Sequence, residues 1–300
     1  MPKRVLSPVF AAMLLAACAT TQRPMTTMPP APPTTVAAST EPDANDNLNS
    51  VVWAQTAIEH DLIFREIYRH AGEQLLKALA DPDWDALPRE ERKTALRGLK
   101  PAVIVDIDET VLDNSPYQAR LVRDGGDYSE ATWVAWCRER KATALPGALA
   151  FAQSAAKQGV IVFYLSNRAQ DLSQATVDNL RADGFPLALG ERSFLGLGLA
   201  VAGCEQLGTG KTCRREFIGR SYRVLLQIGD QVGDFVGVRA NTPDGRSAAI
   251  APYQHWIGER WFVLPNPTYG AWEPALFNND WSLPLTERRR LKRAALSDQR

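Results

Sequence analysis

The stretch VIVDIDETVLDNSPY, Val103 to Tyr117, decides the fold. An apolar run, Val103-Ile-Val, passes straight into Asp106, Asp108, Glu109 and Asp113. A short continuous apolar segment reads as a strand buried on both faces. Carboxylates crowded at the end of such a strand repel one another, and a hard cation with oxygen ligands is what makes them tolerable. Asp106 and Asp108 are two residues apart, a spacing that on a regular strand turns both side chains the same way.

The pattern repeats downstream. GALAFAQSAAKQG is an amphipathic helix closed by Gly159, and VIVFYLSN is a second apolar strand ending at Ser166 and Asn167. DLSQATVDNLRADGF is a helix ended by Gly184, YRVLLQIGD is a third strand ending at Asp230, and RWFVLPN is a candidate fourth. Alternating strands and helices imply an α/β fold, a Rossmann-like parallel sheet flanked by helices. Ligands in such sheets bind beyond the carboxyl ends of the strands, so Asp106, Asp108, Ser166 and Asp230 are expected to converge there. Upstream, apolar spacing predicts one long helix from Leu48 to about Leu79, followed by the proline-broken DPDWDALPREER.

The chain's 300 residues are 45% hydrophobic and 23% charged, enough to bury a sizeable core. A formal net charge of zero gives no basic excess for a nucleic-acid polymer. Lys3 and Arg4 precede the apolar run VLSPVFAAMLLAAC, which is too short to span a membrane and fits a signal peptide over residues 1–17. LLAAC resembles a bacterial lipobox, which implies lipidation of Cys18. Ala19, not Asp, follows it, and the resemblance then points to the outer membrane. Residues 18–47, rich in Pro, Thr and Ala, read as a disordered tether, and residues 48–300 as the folded domain. Cys204 and Cys213 flank a Gly-rich loop and could pair, leaving Cys137 as a buried thiol. There is no CxxC and no local Cys/His cluster.

DIDET resembles the first motif of the haloacid dehalogenase superfamily of phosphatases, YLSNR the second, Lys211 in KTCRR the third, and GDQVGDF, with Asp230 and Asp234, the fourth. The wider set, with Trp133 and Trp136, SNR, KxxRR and LPNPTYGAWE, resembles the lipoprotein e(P4) family of class C bacterial acid phosphatases, from about Val52 to Glu273. Gln231 and Val232 depart from the Asn and Leu often found in the fourth motif, and the segment after Asp234 looks short.

The resemblance implies a Mg²⁺-dependent phosphatase with a small, mostly helical cap including about 114–145. Asp106 would be the nucleophile. Asp108 would be the general acid and base, with its carbonyl on the metal. Ser166 and Lys211 would hold the phosphoryl group, and Asp230 and Asp234 would complete the Mg²⁺ shell. Asp234 could equally cap the helix that follows it. Asn167, Trp133 and Tyr269 are the candidate substrate contacts, the two aromatics sandwiching a nucleobase, and Trp136 is expected in the core. Glu109, Asp113 and Asn114 could brace the site or cap a turn and are read as structural, while Arg168 and Arg214 could steady the acidic shell but are read first as ordinary surface ion pairs.

The implied substrates are phosphomonoesters, nucleoside 5′-monophosphates and nicotinamide mononucleotide among them, with a lipid anchor holding the domain to the outer membrane. The rivals are a broad-specificity phosphatase of the same fold and a surface binding or adhesion lipoprotein with little activity. A homo-oligomer stays open. GTGKT lacks the leading glycine of a phosphate-binding loop, and RHA at Arg69 sits within a helix without a partner motif.

Overall fold

The computed structural model describes residues 44–188 and 192–299. The signal peptide, Cys18 and the tether as far as residue 43 lie outside the described residues. Among the described residues seven strands form in chain order: β1 (Lys100–Val105), β2 (Leu112–Asp113), β3 (Thr143–Ala144), β4 (Ile161–Ala169), β5 (Phe194–Leu197), β6 (Tyr222–Gly229) and β7 (Trp261–Val263). Five of them make the main sheet, in the order β5-β4-β1-β6-β7, and every pairing in it is parallel. The Rossmann-like α/β expectation holds.

β1 is central because its run Ala102–Val105 is apolar on both faces. Val103 and Val105 enter one core cluster, while Ala102 and Ile104 enter the other. β4 alternates in the same way, with Val162 and Tyr164 on the first side and Phe163 and Leu165 on the second. β6 breaks the alternation once. The register shifts between Ala102 and Val103, so Leu225 is an extra residue and both Leu225 and Leu226 join the first cluster. Its backbone carbonyl is not lost, since Leu225 O accepts from Trp84 Nε1 at 2.7 Å.

The first face is covered by α2 (Ile58–Ala80), through Phe64, Tyr68 and Leu75, and by α5 (Ala148–Lys157), through Phe151, Ala152 and Ala155. The helix expected from Leu48 to Leu79 is two helices. α1 (Leu48–Thr56) stops at Ala57, which is extended at φ −80° and ψ 122°. The Thr56 hydroxyl bonds back to Val52 O, and Ala57 O accepts the first turn of α2 from His60 N. Apolar spacing runs through the break in phase, so periodicity alone does not reveal it. α1 turns aside to pack on α3 (Ser115–Asp124).

Between β1 and α5 the chain inserts α3, α4 (Glu130–Glu139) and the small antiparallel β2–β3 ladder. α6 (Ser173–Ala182) follows β4 after a short 3-10 turn at Gln170–Leu172. The later helices are α7 (Thr212–Gly219), the short α8 (Val232–Phe235), α9 (Pro243–Ile250) and α10 (Leu285–Ala294). Among the described residues, no helix is long and apolar enough to cross a membrane.

β5 had no signal in the sequence reading. It is four residues long, and Gly196 lies within it because a Cβ there would meet Arg168 O at 2.8 Å. That close approach seats β5 beside the end of β4.

Candidate active site

Asp106 is the first residue past β1, and its N–H continues the ladder to Ile228 O at 2.9 Å. The strand ends at Val105, so its regular alternation does not carry on to Asp108. The chain folds over itself instead. Val111 and Leu112 both donate to Ile107 O at 2.9 Å, and Glu109 adopts φ 53°. The two aspartates take different hydrogen-bond partners, Asp106 meeting Lys211 and Asp108 meeting Ser166, Asn114 and Arg168, while the Asp108 charge still acts on the Asp106 carboxyl.

Asp106 belongs to a carboxylate cluster. One oxygen each from Asp106, Asp230 and Asp234 lies within 4.8 Å of the others. Lys211 Nζ stands 2.5 Å from Asp106 Oδ1 and 2.7 Å from Asp234 Oδ1. Burial drives the Asp106 carboxyl well above its usual range, Lys211 opposes this, and Asp234, Asp230 and Asp108 add to it. Asp230 is pushed up to about 7 by burial and by Asp234. Lys211 loses ground to burial but regains more from Asp106 and Asp234, so its ammonium is held above the ordinary value. Buried, mutually repelling carboxylates at this spacing are the donor set a hard divalent cation takes.

The cluster is built by close approaches. Gly229 ends β6, and a Cβ there would lie 2.3 Å from Asp234 Oδ2. Asp234 also caps its own helix, because its Oδ2 accepts from Gln231 N at 2.8 Å. Its Oδ1 faces Lys211 and its Oδ2 closes α8, so the capping role is realised within its own short helix. Asp230 Oδ2 accepts from Gln231 Nε2 and Asn266 Nδ2, both at 2.8 Å. Asn266 in turn accepts from Thr268 N at 2.9 Å and Tyr269 N at 3.4 Å, which ties the Tyr269 loop to the Asp230 carboxylate. Asn266 sits in the quoted LPNPTYGAWE run but drew no role from the sequence.

Asp108 faces a second set. Its Oδ2 accepts from the Ser166 hydroxyl at 2.9 Å, and its Oδ1 accepts from Asn114 Nδ2 and Arg168 Nε, each at 2.9 Å. Ser166 is fully buried, whereas Asn167 is exposed and accepts Arg214 Nη2 at 2.8 Å. The surface ion-pair reading of Arg168 and Arg214 is wrong: they are 1% and 0% exposed. Arg214 donates to Ser166 O at 2.5 Å and steadies that strand end. Its neighbour Arg215, also fully buried, forks onto Glu91 at 2.7 and 2.6 Å and reaches Gly233 O and Asp234 O at 2.9 and 3.0 Å. Glu91 went unnoticed in the sequence, where nothing links it to a residue 124 positions away.

Lys211, Arg214 and Arg215 all issue from the start of α7. Cys213 lies among them and is disulfide-bonded to Cys204, while Cys137 is free and buried. Glu109 and Asp113 act on backbone: Glu109 Oε1 accepts Asn114 N at 2.9 Å, and Asp113 Oδ1 accepts Ser115 N at 2.8 Å.

Trp136 is core, 3% exposed, with its Nε1 donating to Asn114 Oδ1 at 2.7 Å. Trp133 is half-buried, edge-on to Tyr117 at 5.2 Å, with the Arg168 guanidinium 5.5 Å from its ring centre. Tyr269 is half-buried on its loop. Among the described residues no ring contact joins Trp133 to Tyr269.

Compared with known proteins, residues 13–272 match the family described as HAD superfamily, subfamily IIIB (acid phosphatase). The fold is similar to the class C acid phosphatase from Bacillus anthracis, solved with tungstate bound. That likeness has a TM-score of 0.71 and 31% identity, and covers 84% of this chain and 96% of that one. Vegetative storage protein 1 of Arabidopsis thaliana is 27% identical over 169 residues, 55% of this chain and 54% of that protein. Acid phosphatase 1 of Solanum lycopersicum is 26% identical over 171 residues, 55% of this chain and 57% of that protein. The chain spans just over half the length of the curated relatives it matches.

Proposed function

The chain belongs to the acid phosphatases of HAD subfamily IIIB, and from that membership we propose that it hydrolyses phosphomonoesters through an aspartyl-phosphate on Asp106. The observation that carries this reading is the cluster of Asp106, Asp230 and Asp234 within 4.8 Å, with Lys211 bonded to two of them, at the carboxyl edge of a parallel sheet. The tungstate bound by the Bacillus anthracis relative supports it, since tungstate is a tetrahedral oxyanion like phosphate.

An Asp106 oxygen attacks phosphorus, and the bond from phosphorus to the leaving oxygen breaks. Asp108 delivers a proton to that oxygen, so it departs as an alcohol. Asp108, now a carboxylate, takes a proton from water, and the water oxygen attacks the phosphorus. The bond from phosphorus to Asp106 breaks, which releases inorganic phosphate and restores both aspartates. Lys211 and the Ser166 hydroxyl offset the negative charge on the phosphoryl oxygens. Mg²⁺, held by Asp106, Asp230, Asp234 and the main-chain carbonyl of Asp108, would screen the carboxylates from the incoming phosphate.

The substrates on this reading are nucleoside 5′-monophosphates, including nicotinamide mononucleotide. Supporting it, Trp133 lies beside the Asp108 partner Arg168, and the Tyr269 loop is tied through Asn266 to Asp230. The broad-specificity alternative also has an observation in its favour, because the Trp133 ring already packs on Tyr117 and Tyr128. Lipidation at Cys18 and an outer-membrane location complete the proposal, resting on LLAAC.

Release of phosphate from a panel of monophosphates, with and without a chelator, tests it. Nucleotide hydrolysis abolished by chelation and restored by Mg²⁺ is expected. Absence of release under any metal condition contradicts the phosphatase reading, and equal rates on glycerol phosphate and nucleotides remove the nucleotide preference.

A further inference from the structure

Arg168 has no role in the steps above, yet among the described residues no side chain is more closely engaged with Asp108. It follows Ser166 and Asn167 at the end of β4, and its side chain is 0% exposed. Nε donates to Asp108 Oδ1 at 2.9 Å, and Nη2 lies 2.9 Å from the same oxygen. Nη2 also donates to Asn114 Oδ1 at 3.2 Å. Asn114, fully buried, returns to the same carboxylate by giving Nδ2 to Asp108 Oδ1 at 2.9 Å. Its Oδ1 takes Trp136 Nε1 from α4 at 2.7 Å. A continuous chain of hydrogen bonds therefore runs from the α3–α4 insertion through Asn114 and Arg168 to one oxygen of Asp108.

The two oxygens of Asp108 are held by different chemistry. Oδ1 is met by a guanidinium and an amide NH₂, groups that only donate. Oδ2 is met by the Ser166 hydroxyl at 2.9 Å, and that hydroxyl also accepts Arg168 N at 2.9 Å. A hydroxyl can reverse between donor and acceptor, whereas a guanidinium cannot. Oδ1 is therefore fixed as an acceptor, and Oδ2 is the oxygen free to carry a proton. The neighbouring arginines set the contrast. Arg215 spends its fork on Glu91, away from the reacting groups, and Arg214 binds Ser166 O and Asn167.

We propose that Arg168, with Asn114, is a positioning residue that pins Asp108 Oδ1 so that Oδ2 performs the proton transfers, and that this couples the α3–α4 insertion to leaving-group protonation. The inference rests on the reading of Asp108 as general acid. A fork of two donors on one carboxylate oxygen fixes the plane of the group as well as its place. Lys in place of Arg keeps the charge and loses the fork.

The test compares two leaving groups. Nitrophenolate departs without a proton, whereas the alkoxide of glycerol phosphate needs one. kcat/KM reads events up to phosphorus–oxygen cleavage, so it isolates the acid step from the later attack of water. kcat/KM is measured for p-nitrophenyl phosphate and glycerol phosphate in wild type, Arg168→Gln, Arg168→Lys and Asn114→Ser, each checked for a cooperative thermal melt. The expected result is a loss of about 10²-fold on glycerol phosphate, with p-nitrophenyl phosphate within about threefold of wild type. Arg168→Lys should recover part of the loss. Asn114→Ser decides the matter if the Arg168 variants do not fold. Equal losses on both substrates, or no loss on either, overturn the positioning role while leaving the phosphatase reading intact. A wild type that cleaves neither substrate overturns that reading and this proposal with it.

Discussion

Lys211 and Asp106 stand 105 positions apart in the chain, and the Lys211 ammonium lies 2.5 Å from the Asp106 carboxylate. Asp234 holds the other side of the same ammonium at 2.7 Å. One buried cation between two buried carboxylates fixes the spacing of the site before any substrate arrives. Breaking such a group by removing one partner is costly, because the charges left behind have no water to turn to.

Lys211→Met should therefore lose both stability and turnover. The destabilisation expected is about 3–5 kcal/mol, read as a fall in Tm. Phosphate release should drop by about 10²-fold or more, from the lost offset of phosphoryl charge. A Met variant with wild-type Tm and rate contradicts the arrangement.

The raised carboxyls set a pH dependence for the metal-free protein. Asp230 has an ordinary value of 3.8 and is pushed up to about 7 in the fold, with burial the first cause. Asp106 and Glu109 move in the same direction, also chiefly through burial. For an acid raised by folding, the folded state binds the proton more tightly than the unfolded one. Its contribution to stability is fully present below the unfolded value and is lost as pH rises through the folded value. Glu139, held at about 2 by Arg120, titrates below this window. Tm without metal should fall as pH rises from about 4 towards 7, and saturating Mg²⁺ should flatten the slope. A Tm that rises over that window under metal-free conditions contradicts the electrostatics.

Glu91 and Arg215 lie behind the site and brace it. Arg215 carries the carbonyls of Gly233 and Asp234 while its fork closes on Glu91. Glu91→Gln leaves the guanidinium buried with one charge uncompensated, which is expected to cost about 3–5 kcal/mol. The Asp234 loop should loosen as well, so a higher Mg²⁺ concentration should be needed for half-maximal activity. Unchanged Tm and unchanged Mg²⁺ dependence together remove the bracing role.

The sheet was legible in the chain because its strands are continuous apolar runs, and the site because three of them end in polar residues. Asp106, Ser166 and Asp230 could be placed from that alone. The break at Ala57 was hidden because the apolar phase is the same on both sides of it. β5 was hidden because four residues, one of them Gly196, carry no period. Arg168, Arg214 and Glu91 were misjudged or missed for one reason. A charged residue reads as exposed until its partner is known, and their side-chain partners lie from 47 to 124 positions away.

The aromatic residues test the nucleotide proposal. Stacking acts on a base remote from the reacting phosphorus, so Trp133→Ala and Tyr269→Ala should lower kcat/KM for a nucleoside 5′-monophosphate while sparing glycerol phosphate. A loss of about 1–3 kcal/mol in stacking is roughly ten- to a hundredfold. Equal losses on both substrates would make Trp133 a packing residue of the insertion, in keeping with its contacts to Tyr117 and Arg168.

The central claim is that Asp106 forms the covalent intermediate, and Asp106→Asn tests it most directly. The substitution preserves size and removes the nucleophilic charge. Release of inorganic phosphate by this variant, measured with saturating Mg²⁺ and with a cooperative thermal melt as the check on folding, should fall by several orders of magnitude. Substantial turnover by the folded Asp106→Asn protein would contradict the aspartyl-phosphate route.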